Sequence, residues 1–254
     1  MSAITIALVG DLTVYRAKRS GHATAPVRES LAPVLFNSLT FIAFFVVVLL
    51  LHNAPLPWKV KKINLLLASY VFYAAWNPPF VILLWISTMV DWRVAKRIYA
   101  EDRLSRRRAW VALSVLVNLG LLGYFKYGEF LLDNWQVLMS AMGVTWTPPD
   151  WDIVLPVGIS FYTFQTMAYS LDVYLRRAKP ADSLLDFALF VTFFPQLVAG
   201  PIVRPTQLIP QFQEPVRASA NQLIWGLGLM TLGLFEKIVI ADGALAPAAD
   251  AVFG

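Results

Sequence analysis

Apolar residues run along the chain in long blocks, separated by short basic or proline-marked breaks. Residues 41–51 are apolar without interruption, and Asn37, Ser38 and Thr40 precede them. This predicts a first span over 34–51, closed by His52-Asn53-Ala54-Pro55. Residues 63–91 are cut by Asn77-Pro78-Pro79 just after Trp76. Each half is about fourteen residues or fewer, short of the ~20 needed for a crossing at ~1.5 Å per residue. The expectation is two helices joined by a tight turn, entering and leaving on one side. Residues 109–125 cross back, with Gly120 and Gly123 as close-packing positions. Residues 129–142 read as a separate amphipathic or partly inserted helix, and 143–151, with Pro148-Pro149, as a loop. Residues 153–175 return. Residues 183–198 form a further helix, capped by Asp182 or Ser183. Residues 205–217 are polar and proline-punctuated, and 223–240 make a final span with Glu236 and Lys237 near its end. The first thirty residues are different: their apolar start is too short to span and is followed by Asp11. The pattern predicts a poorly structured extension over 1–30 and a membrane domain over 31–254. Its fold class is all-α: a polytopic transmembrane helical bundle with broken or re-entrant helices.

Composition sharpens this picture. The chain is 58% hydrophobic and 15% charged, where a soluble domain carries about a quarter charged residues. The net charge of +5 is concentrated at Lys59, Lys61 and Lys62, along 93–108, and at Arg176, Arg177 and Lys179. That pattern marks cytoplasmic loops rather than nucleic-acid binding. Cysteine is absent, which excludes disulfide and thiol chemistry. The histidines are His22 and His52, so no paired-histidine metal site exists. His22 reads as solvated and His52 as interfacial.

Two stretches carry polar groups that lipid would reject. On a helix at about 100° per residue, Gln165, Tyr169, Asp172 and Arg176 fall in one stripe. Asp172 precedes Arg176 by four residues, the favourable order for a helical ion pair. The stripe serves as interhelical glue or lines a groove; the pattern leaves both open. The second stretch includes Pro195, Gln196, Gly200, Pro201 and Arg204, and it cannot form one straight helix. Broken backbone at membrane depth survives only inside protein or beside a water-filled cavity. The break is a helix end at the interface or a re-entrant turn. The candidate groove residues are Gln165, Tyr169, Asp172, Arg176, Gln196 and Arg204, with both stretches sharing one cavity.

These residues also resemble a known family. Leu155-Pro156-Val157-Gly158-Ile159-Ser160-Phe161, then Phe164-Gln165, Tyr169, Asp172-Val173-Tyr174 and Asp186-Phe187, lead to the run from Phe194-Pro195-Gln196 to Gly200-Pro201-Ile202-Val203-Arg204. Ser69-Tyr70-Val71-Phe72-Tyr73 and Asn118-Leu119-Gly120 extend the match upstream. The pattern resembles the membrane-bound O-acyltransferases, closest to the alginate O-acetyltransferase branch, and only the N-terminal portion of that fold. The resemblance implies a multi-pass protein of the inner or plasma membrane. It implies acetyl-CoA or another acyl donor as substrate, with no bound cofactor. It implies an extracytoplasmic polysaccharide as acceptor, a periplasmic or cell-surface partner protein, and contact with membrane lipids.

Acyl transfer to a hydroxyl needs a base and donors for the developing oxyanion. In the family that base is an intramembrane histidine beyond the matched stretch, and neither His22 nor His52 lies in a matching motif. The expectation is an incomplete fragment, inactive alone, with no catalytic residue of its own. The alternatives are a non-enzymatic membrane scaffold or channel that retains the polar groove, and, more weakly, a secondary transporter without an inverted repeat.

Overall fold

The computed structural model of the chain describes residues 36, 38–76, 78–147, 154–197, 202–215 and 218–253. The extension over 1–30, His22, the end of the Pro148-Pro149 loop and the Gly200-Pro201 break lie outside them. The described residues are helical, with no strand among them: an all-α helical membrane protein. Two helices are long and apolar enough to cross a membrane, Leu104–Ala141 and Ala220–Val252, and Leu39–Asn53 is a shorter apolar helix.

The larger unit, Pro57–Gln213, holds the polar stripe. α2 (Trp58–Ala74) and α3 (Phe80–Ala100) form the expected hairpin. Both are longer than the apolar pattern predicts. α2 takes in Lys59, Lys61 and Lys62, and α3 takes in Arg93, Lys96 and Arg97. The expected basic loop over 93–108 therefore shrinks to 101–103, since α4 (Leu104–Ala141) begins with Arg106, Arg107 and Arg108 in its first turns. Long basic side chains suit a helix that leaves the apolar layer, because their stems stay on the helix while the charge reaches water.

α4 is one helix of 38 residues, not a crossing helix plus a separate amphipathic one. It contains no proline, and Gly128 alone does not break a helix. At ~1.5 Å per residue it reaches roughly 57 Å, well beyond ~30 Å of hydrocarbon. Its second half, with Glu129, Asp133 and Asn134, is the part suited to lie outside that layer.

α5 (Ile159–Tyr174) starts from a turn rather than at residue 153. Gly158 sits there at φ 73°, a left-handed geometry that glycine adopts without penalty. The Tyr73 hydroxyl donates to the Val157 carbonyl at 3.0 Å and ties this turn to α2. α6 (Leu184–Thr192) is capped by Ser183, whose hydroxyl accepts from the Leu185 N–H. It stops before residue 198; a short turn, α7 (Phe194–Leu197), follows. The proline-punctuated 205–213 segment folds into a helix, α8 (Pro205–Gln213), with Pro210 inside it. α8 packs on α6, and the Trp58 indole donates to the Phe212 carbonyl at 2.8 Å.

The other unit, Met1–Leu56 with Glu214–Gly254, contains α1 (Leu39–Asn53) and α9 (Ala220–Phe235). Ser219 and Gln222 make a reciprocal capping box at the start of α9. α9 continues through a wider π-helical stretch, Glu236–Leu245, into α10 (Ala246–Phe253). The final span is thus longer than expected, and residues 241–253 do not fade out. Lys237 and Asp242, five apart as π-helical spacing favours, pair at 2.6 Å.

The continuity of α4 predicts that Gly128→Pro destabilises the protein by about 3 kcal/mol, whereas Gly128→Ala is neutral or stabilising. Thermal unfolding in detergent measures both. Equal melting of the proline variant and the parent would restore two separate helices.

Candidate functional site

α5 buries two polar faces, and each meets a different neighbour. The first holds Gln165 and Tyr169, both 0% exposed. The Gln165 amide donates to the Phe190 carbonyl at 2.8 Å. The Gln196 amide donates to the same carbonyl at 2.8 Å. That carbonyl is free because α6 ends early. Its usual helical partner, the Phe194 N–H, donates instead to the Ser69 hydroxyl at 3.2 Å. One residue on, Pro195 has no N–H to give the Val191 carbonyl. The polar stripe and the broken segment therefore meet at one backbone oxygen. The Gln165 Oε1 stays buried with no hydrogen-bond partner. The hydroxyls of Tyr73 and Tyr162 are neighbours on the same side of the bundle.

Lower on this face, the Tyr169 hydroxyl accepts from the Ala181 N–H at 2.9 Å, and its ring packs on Phe187 at 4.5 Å. Asp172 is half-buried and Arg176 exposed. The expected Asp172–Arg176 ion pair does not form. α5 ends at Tyr174, and Arg176 turns to φ 58°. This swings the guanidinium onto α3, where it donates to the Tyr99 carbonyl at 2.7 Å and lies over the Tyr99 ring at 4.5 Å. A left-handed arginine costs about 1–2 kcal/mol, which these contacts offset. The Asp172 carbonyl instead receives the Arg177 and Ala178 N–H groups. Arg204 is exposed at the start of α8, where its carbonyl accepts from Gln207 and Leu208. Gln165, Tyr169 and Gln196 thus come together, and Arg176 and Arg204 stand apart.

The second face is one the sequence analysis missed. Asp91 lies midway along α3 and is 0% exposed. The Asn118 amide donates to both its oxygens at 3.0 Å, and the Ser114 hydroxyl to one at 2.8 Å. Ser170 joins Ser114 at 3.1 Å, and Thr166 donates to the Asn118 carbonyl oxygen at 3.1 Å. No salt bridge to Asp91 occurs among the described residues. Interhelical hydrogen bonds in membranes average about 0.6 kcal/mol. The three onto Asp91 do not cancel the ~2.5–3.5 kcal/mol of placing an aspartate at the centre of a membrane helix. The cluster is therefore maintained for orientation rather than for net stability. A signal for it existed: Ser87/Asp91, Ser114/Asn118 and Thr166/Ser170 are three polar pairs at i,i+4 on three successive long helices.

At the basic end, Lys62 pairs with Asp186 at 2.5 Å, their side chains 12% and 7% exposed. Arg107 donates to the Tyr174 carbonyl, closing the end of α5. Cations on terminal carbonyls favour those helix ends.

No protein-family model and no solved structure matches the chain. Curated proteins do. A probable alginate O-acetylase of Azotobacter vinelandii is 36% identical over 221 residues, 87% of this chain and 44% of that protein. A probable alginate O-acetylase of Pseudomonas aeruginosa is 35% identical over 221 residues, covering 87% and 42%. A peptidoglycan O-acetyltransferase of Helicobacter pylori is 34% identical over 233 residues, covering 82% and 42%. The chain spans less than half the length of these relatives.

The Asp91 cluster predicts that Asn118→Ala leaves a buried carboxyl short of a donor and costs about 3 kcal/mol. Leu116→Ala, two residues away and exposed, serves as control. Chemical unfolding in detergent measures the difference; equal losses would show that the cluster contributes nothing beyond packing.

Proposed function

The chain belongs to the membrane-bound O-acyltransferase family, in the alginate O-acetylase branch, and on that premise we propose that it builds part of an enzyme that O-acetylates an extracytoplasmic polysaccharide. The observation that carries this reading is the likeness to alginate O-acetylases along 87% of the chain and to a peptidoglycan O-acetyltransferase along 82%. The acyl donor is acetyl-CoA or a similar cytoplasmic carrier, and a periplasmic or cell-surface protein takes part in the transfer. The chain lies multi-pass in the inner membrane, with Lys59–Lys62, the α3–α4 junction and Arg176–Lys179 at the cytoplasmic face.

The meeting of Gln165 and Gln196 at the Phe190 carbonyl supports a role for this seam as a wall of the reaction groove. The Gln165 Oε1 is buried without a hydrogen-bond partner, so it meets a substrate hydroxyl only if the seam opens. Tyr169 holds α5 against the loop at Ala181 and keeps that acceptor in place.

The base is supplied from outside this chain. His52 ends α1 and lies in no matching motif. The purified chain in lipid is therefore expected to show no acetyl transfer above background. Turnover lost on His52→Ala would make His52 the base. Turnover that survives that change would remove the need for a histidine.

A second expectation separates a groove wall from plain helix glue. In a full-length relative, the counterparts of Gln165→Leu and Tyr169→Phe should lower kcat/KM by at least about tenfold, or ~1.4 kcal/mol. Expression and melting temperature should hold. Full activity with lowered melting would assign both residues to packing.

A further inference from the structure

A second feature lies away from the polar seam. Leu66 and Tyr70 of α2, Trp85 and Met89 of α3, and Leu184 and Leu185 of α6 are among the lining of an apolar groove of about 260 Å³. This falls below the ~300–1,000 Å³ of small-molecule pockets. Its apolar lining, rather than its volume, suits a segment of an alkyl chain better than a sugar ring or a nucleotide.

The groove walls continue into the basic end of the bundle. Steps of four and then three or four residues lead down α2 from Tyr70 through Leu66 to Lys62 and Lys59. Steps of four lead along α3 from Trp85 through Met89 to Arg93. Each set therefore shares one helix face. Cations at the mouth divide into two kinds. Lys62 is engaged by Asp186, and Lys96 donates to the Asp182 carbonyl at 3.1 Å while lying 4.0 Å over the Trp92 ring. Lys59 and Arg93 are exposed and make no ion pair among the described residues. Lys59 and Arg93 thus stand on the faces that lead out of the groove; of the acids at the start of α6, Asp186 is neutralised by Lys62 and Asp182 is exposed beside Lys96.

We propose that this groove holds one acyl chain of an anionic phospholipid, with the lipid phosphate on Lys59 and Arg93. Charge complementarity selects the headgroup, and the apolar walls select the chain. A lipid bound there bridges α2, α3 and α6.

The test is lipid competition on the purified chain by native mass spectrometry in detergent. Phosphatidylglycerol and phosphatidylcholine of identical chains are compared, with glycerol phosphate as a chainless probe. Phosphatidylglycerol is expected to bind roughly thirtyfold tighter, with about a fivefold loss for each of Lys59→Gln and Arg93→Gln. Both substitutions are at exposed positions and leave the packing alone. Leu185→Trp, which fills the groove, should reduce retention of both lipids. Equal binding of the two lipids, or a preference that survives the double glutamine variant, would overturn the proposal. So would displacement of bound lipid by glycerol phosphate at equal concentration, which would mark a phosphate site without a chain site.

Discussion

The membrane-embedded part of this protein depends on one constraint: polar groups removed from water must find partners inside the protein. Asp91 shows it most directly. A carboxyl buried midway along α3 is held by an amide and a hydroxyl from α4, and these are held in turn by hydroxyls from α5. Because each contact is short and directional, the three helices have one mutual rotation that satisfies all of them. Apolar packing alone would allow small slips, since one aliphatic face resembles another to its neighbour.

That rotation has a consequence for the neighbouring face of α5, about 100° around the helix. With Thr166 and Ser170 turned to α3 and α4, Gln165 and Tyr169 must turn to α6 and the chain beside it. Gln165 then reaches the carbonyl that the early end of α6 leaves open. The same oxygen takes Gln196 from beyond the break. Pro195 gives no N–H to the Val191 carbonyl, and at the neighbouring Phe190 carbonyl the two glutamine side chains supply the donors. This turn is covered on one side by protein: Phe194, Gln196 and Leu197 are buried and Pro195 is exposed.

At the basic end the same accounting applies with charge. Arg107 and Arg176 close the last carbonyls of α5 and α3 and lie against Tyr174 and Tyr99. Lys62 neutralises Asp186. These cations serve the fold. Lys59 and Arg93 remain exposed at the surface.

The sequence by itself determined the helical class, the α2–α3 hairpin at Pro78-Pro79, the cap at Ser183 and the stripe that includes Gln165 and Tyr169. Each is set by local rules: apolar block length, proline and glycine breaks, capping chemistry and the 3.6-residue period. It also carried the long likeness to O-acetylating proteins, because that likeness lies in the order of residues. Where α4 ends was not legible, since Glu129 and Asp133 lower hydropathy without breaking a helix. The Asp172–Arg176 pair was misread because i,i+4 spacing presumes a helix that continues, and the left-handed turn at Arg176 ends it. The partners of Asp91 and the shared carbonyl of Phe190 were decided only by tertiary structure. They join residues 27 and 25 positions apart, and no local period encodes which face of one helix meets which face of another.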